Sequence, residues 1–91
     1  MHKPPLILVV DDMPTDALLL SKALSKDGYD VVVAHDGGTC IQLTVERKPD
    51  IVLLDMTMPG RDGLETCRLL KSQPETTSIP VVFVTVHSDS E

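Results

Sequence analysis

The sequence has very few aromatic residues: one tyrosine, one phenylalanine and no tryptophan among 91 residues. Proteins that bind single-stranded nucleic acid commonly stack bases on aromatic rings, and this chain offers no such platform. Basic residues are also scarce, because 8 Lys and Arg stand against 14 Asp and Glu and leave a net charge of −6. A nucleic-acid surface needs a clustered basic patch. We therefore expect no direct contact with nucleic acid.

Long apolar runs are absent as well, and no run approaches the roughly 20 residues of a membrane-spanning helix. Residues 1–5 lack the apolar segment of a signal peptide, so we expect a cytoplasmic protein with no membrane contact. Cysteine is limited to Cys40 and Cys67, both inside amphipathic segments. We interpret them as small core residues in a reducing compartment rather than as a disulfide or a metal pair.

What the sequence does contain is an alternation of short apolar runs with amphipathic segments. Four apolar runs predict buried strands: Leu6–Val10, Val31–Ala34, Ile51–Leu54 and Val81–Val84. Helical patterns fill the intervals from Met13 to Gly28, from about Thr39 to Arg47 and from about Leu64 to Lys71. The βαβαβαβ order implies a parallel sheet with right-handed crossovers. The chain, residues 1–91, is short enough to be one α/β domain.

Polar residues stand where three of these strands end. Asp11 and Asp12 follow the first strand, Asp55 follows the third and Thr85 follows the fourth. Parallel strands end at one edge of a sheet, and ligands of open α/β sheets bind at that edge. Simpler roles remain open: Asp55 as a cap of the next turn, Asp11 and Asp12 as an N-cap pair, and Thr85 as an ordinary strand residue.

Three carboxylates at one edge predict a metal site. Like charges raise each other's pKa and destabilise the fold, and a divalent cation removes that cost. Hard oxygen ligands favour Mg²⁺ or Mn²⁺ over zinc. A metal held in this way can stabilise a transferring phosphoryl group, and a carboxylate can itself become an aspartyl phosphate. Thr85 is placed to hydrogen-bond phosphoryl oxygens.

Taken together, these motifs resemble the receiver domain of bacterial two-component response regulators over nearly the whole chain. The residues that carry the resemblance are Asp11-Asp12, Asp55 with Met58-Pro59 and Gly63, Ile79-Pro80, and Thr85. The resemblance implies a flavodoxin-like, three-layer αβα fold with strand order 2-1-3-4-5. Because the chain stops at residue 91, we expect order 2-1-3-4, with the fifth strand and last helices missing.

The resemblance also implies the roles of individual residues. Asp55 is the expected phosphoacceptor, receiving a phosphoryl group from a sensor histidine kinase or a phosphotransfer protein, in a signalling module that is not an enzyme. Asp12 is the expected direct Mg²⁺ ligand and Asp11 a ligand through water, with Asp55 and the Thr57 carbonyl completing the set. Thr85 corresponds to the switch hydroxyl. The side chains of Thr57 and His87 lie where the family tunes the lifetime of the phosphate.

One departure from the family leaves a second reading open. The family's fifth strand carries a lysine that contacts the phosphoryl group, and no lysine of this chain follows the fourth strand. The alternative function is therefore an interaction or dimerisation module that is not phosphorylated. In either case an unpaired edge over residues 81–86 predicts a homo-oligomer. A phosphoaspartate hydrolase is disfavoured, because Thr57 stands where its general acid is needed.

Overall fold

The computed structural model describes residues 3–55 and 63–84. Strands and helices alternate within them, in the order β1 (Leu6–Val10), α1 (Pro14–Lys26), β2 (Asp30–Ala34), α2 (Gly37–Arg47), β3 (Ile51–Asp55), α3 (Gly63–Ser72) and β4 (Val81–Val84). The four strands form one parallel sheet in the order β2-β1-β3-β4. This confirms the predicted order 2-1-3-4.

The continuous apolar strands are explained by cores on both faces of the sheet. On one face, side chains such as Leu8 and Leu54 join Cys40 of α2 and Leu70 of α3 in the larger core. On the other face, Ile7, Val9 and Ala17 of α1 form the centre of a smaller core. A strand covered on both sides has no need of polar alternation. The result is a three-layer arrangement, with α1 on one side of the sheet and α2 and α3 on the other.

Helix α1 begins and ends as the sequence predicts. Pro14 occupies its first turn, where the missing N–H costs no hydrogen bond. Asp27 is the C-cap, and Gly28 follows with φ of +97°, a left-handed conformation that glycine adopts without steric strain. None of the helices in the described ranges combines the length and the apolar character needed to cross a bilayer.

Helix α2 begins two residues before the predicted start. The sequence His-Asp-Gly-Gly at residues 35–38 is typical of a turn, whereas the helix includes Gly37 and Gly38. Asp36 is the reason, because its side chain accepts a hydrogen bond from the Thr39 amide at 2.7 Å and caps the helix. The same hydrogen bond lowers the pKa of Asp36. A strong cap thus outweighs the low helix propensity of two glycines.

Helix α3 differs from the prediction in its buried face. The i, i+3, i+6 spacing of Leu64, Cys67 and Leu70 predicts that these residues face the core, but 56% of Leu64 is exposed and Thr66 is fully buried. The buried face consists of Gly63, Thr66 and Leu70, with Cys67 half-buried beside it. Apolar spacing thus predicted the core positions of Leu70 and Cys67 correctly and that of Leu64 wrongly.

Candidate functional site

The sheet brings together three carboxylates at the carboxyl ends of its two central strands. Asp11 directly follows β1 and Asp55 ends β3, and these strands are hydrogen-bonded neighbours. One carboxylate oxygen each from Asp11, Asp12 and Asp55 can be chosen so that all lie within 4.8 Å of one another. Asp11 and Asp55 are each only 3% exposed, whereas Asp12 is half-buried. The cluster therefore has two buried acids and one that reaches towards solvent.

Asp11 is held by hydrogen bonds from three directions. Its amide donates to the Ala34 carbonyl at 3.0 Å and so extends the pairing of β1 with β2 by one residue. Its side-chain Oδ1 accepts from the Met13 amide at 2.9 Å. Its carbonyl oxygen lies 3.0 Å from Nδ1 of His35. These contacts fix the backbone at the point where the chain leaves the sheet.

The simpler role of Asp11 and Asp12 as an N-cap pair does not fit the structure. The N-cap of α1 is Met13, and no side chain accepts a capping hydrogen bond there. The Asp11 side chain accepts a hydrogen bond from the amide of Met13, which precedes the first turn of the helix. A capping function thus leaves Asp12 unexplained.

The electrostatics of the cluster favour a bound cation. Burial raises the pKa of Asp11, the hydrogen bond from Met13 opposes this effect, and the negative charges of Asp55 and Asp16 raise the pKa further. Buried like charges are costly, and a positive ion between them removes the repulsion. The donors are carboxylate oxygens, which suit Mg²⁺ or Mn²⁺. The chemistry of the donor set therefore fits such an ion.

The remaining residues of the predicted site lie outside the described residues. These are Thr57, Thr85 and His87, with Met58 and Pro59 of the motif after Asp55. The structure adds one residue that the sequence analysis missed, His35, which contacts the backbone of Asp11. Its position directly after β2 was the available signal, because β2 ends at the same edge as β1.

Comparison with known proteins agrees with this architecture. The family model of the response regulator receiver domain matches residues 7–91. The protein PilH of Pseudomonas aeruginosa is 44% identical over 79 residues, and the response regulator PleD of Caulobacter vibrioides is 47% identical over 79 residues. Both alignments cover 87% of this chain.

Solved structures give the same result. The N-terminal domain of a response regulator receiver protein from Methanoculleus marisnigri matches with a TM-score of 0.87 and 36% identity, covering 94% of this chain and 70% of that one. The chemotaxis protein CheY4 of Vibrio cholerae, at 24% identity, matches in fold with a TM-score of 0.86. The flavodoxin-like fold expected from the sequence is thereby confirmed.

The chain spans only part of its curated relatives, 65% of PilH and 17% of PleD. The match nevertheless runs through every described element except the first residue of β1. The chain belongs to the response regulator receiver domain family.

Proposed function

We propose that this domain accepts a phosphoryl group on Asp55 in a reaction that requires Mg²⁺ or Mn²⁺. The observation that carries the proposal is the cluster of Asp11, Asp12 and Asp55, whose ligand atoms lie within 4.8 Å of one another at the carboxyl edge of the sheet. Membership of the receiver family supports the same role. Asp55 ends β3, one of the two central strands of the sheet.

In the proposed reaction, a carboxylate oxygen of Asp55 attacks the phosphorus of a phosphohistidine. The new O–P bond forms as the N–P bond breaks, and the electron pair remains on the imidazole nitrogen of the donor. Asp12 and Asp55 would hold the cation directly and Asp11 would hold it through water, with the Thr57 carbonyl as a further ligand. When bound, the cation supplies positive charge to the phosphoryl oxygens. Thr85 is the proposed hydroxyl that senses the phosphoryl group.

The proposed donor is a sensor histidine kinase or a phosphotransfer protein, and the proposed location is the cytoplasm. Support for this donor comes from membership of the receiver domain family and from the similarity to PleD, a response regulator. The absence of nucleic-acid contact stays a prediction from the acidic composition.

Phosphorylation is tested by intact-mass spectrometry after incubation with acetyl phosphate, with Mg²⁺ or with a chelator. We expect the mass of one phosphoryl group to be added only with Mg²⁺, slowly, and to be lost in Asp55→Asn. Asp30→Asn is the matched control, because Asp30 is an exposed acid at the start of β2, the opposite end of the sheet. A phosphoryl group that persists in Asp55→Asn would contradict the assignment.

A module that self-associates without phosphorylation remains the second candidate. Within the described residues β4 pairs with β3 alone, and Val82 of β4 is 44% exposed. Apolar strands with an unpaired edge recruit other chains. Light scattering coupled to size exclusion, over a range of protein concentrations, tests this homo-oligomer. A folded monomer at every concentration would exclude it.

A further inference from the structure

His35 contacts the backbone of Asp11, although it is neither an expected metal ligand nor the expected phosphoacceptor. It directly follows β2, and its Nδ1 lies 3.0 Å from the carbonyl oxygen of Asp11. A carbonyl oxygen can only accept a hydrogen bond, so Nδ1 must carry the hydrogen and donate it. This contact fixes the proton on Nδ1 and leaves Nε2 facing away from the Asp11 backbone.

The contact completes a double attachment of Asp11 to the end of β2. The Asp11 amide donates to Ala34, and the Asp11 carbonyl accepts from His35, the next residue of the same strand end. The carbonyl of Asp11 and the amide of Asp12 share one planar peptide unit. Fixing that carbonyl therefore fixes the plane from which Asp12 departs. Asp12 is the proposed direct ligand of the cation and the least buried of the three acids.

We propose that His35 is a positioning residue for the divalent cation, acting through the peptide unit between Asp11 and Asp12. The inference rests on the proposed function, because it assumes that the acid cluster binds a cation. Groups that orient metal ligands from outside the coordination shell commonly change metal affinity when they are removed. His35 is exposed to solvent, so water competes for the hydrogen bond and its loss has a limited effect.

The test is the affinity of the purified chain for Mn²⁺, measured by water proton relaxation and repeated in competition with Mg²⁺. His35→Ala removes the donor and is expected to weaken binding about three- to tenfold. His35→Asn places an amide N–H where Nδ1 stands and carries no positive charge, so it is expected to restore most of the affinity. Gln42→Ala is the matched control, because Gln42 makes an exposed hydrogen bond to Glu46 on α2.

A second measurement needs no metal. Amide hydrogen exchange in the metal-free protein is expected to be faster at Asp12 and Met13 in His35→Ala than in His35→Asn or Gln42→Ala. Equal Mn²⁺ affinity in the native chain and His35→Ala would overturn the positioning role, as would equal weakening in His35→Ala and His35→Asn. A native chain that binds no Mn²⁺ would instead refute the proposed cation site, and the role of His35 with it.

Discussion

At the scale of single residues, Asp11 combines an electrostatic cost with a defined position. Burial and the nearby Asp55 raise its pKa, so the folded protein holds this proton more tightly than the unfolded chain does. Stability of the metal-free protein therefore falls as pH rises from the unfolded pKa through the raised folded pKa. A residue that weakens the fold at neutral pH is typical of a binding site rather than of a structural role.

Replacing Asp11 by Asn should stabilise the metal-free protein at neutral pH and reduce its loss of stability above the acidic range. The amide oxygen of Asn can still accept the hydrogen bond from Met13, whereas the repulsion from Asp55 is lost. Urea denaturation in the presence of a chelator, at several pH values, measures the effect. Asp30→Asn serves as the control for the change in net charge. A less stable Asp11→Asn protein would show that its carboxylate has a structural role.

Two further residues show which side-chain environments the sequence could and could not predict. Cys40 is fully buried, and burial raises its thiol pKa to about 11, which agrees with its interpretation as a core residue. His35 lies between β2 and α2, in the predicted turn, but nothing in a single sequence says which backbone group its ring will reach. That contact depends on the pairing of Val10 with Ala34, which brings the ends of β1 and β2 side by side.

At the scale of elements, strands were easier to predict than helix faces. Continuous apolar runs set off by polar or turn-forming residues define strands such as β1 and β3 without ambiguity. A helix face is decided by packing, and in α3 the small residue Thr66 is buried while Leu64 is exposed. The cap of α2 at Asp36 was visible in the sequence, but two glycines after it also fit a turn.

The segment after α3 depends on one buried hydroxyl. Thr76 is fully buried, and its Oγ1 donates to the carbonyl of Leu70 near the end of the helix. Thr76→Val keeps the shape but leaves this carbonyl without its donor, so we expect a loss of about 1–3 kcal/mol in the free energy of unfolding. Thr76→Ser keeps the hydroxyl and should lose less. Chemical denaturation compares the two, and a loss in Thr76→Ser as large as that in Thr76→Val would contradict the special role of the hydrogen bond.

At the scale of the whole molecule, the site is a consequence of topology. Asp11 and Asp55 are far apart in sequence but end adjacent parallel strands, so the alternation of strands and helices was sufficient to predict a common edge. The order of the strands came from the resemblance to receiver domains, because alternation alone allows several orders. The register of the strands, which places Asp55 beside Val84, could be determined only from the structure.

Because the three acids come from two strands at the centre of the sheet, cation binding should stabilise the entire fold. A ligand that binds only the folded state adds RT ln(1 + [L]/Kd), about 2.7 kcal/mol at a concentration of 100 Kd. We expect Mg²⁺ to raise the melting temperature of the native chain and of Asp30→Asn, and to have little effect on Asp12→Asn. Asp12 is the residue chosen for substitution because it is the half-buried member of the cluster. Its replacement therefore disturbs the core least. If Asp12→Asn responded to Mg²⁺ as strongly as the native chain, the cation would have to bind elsewhere.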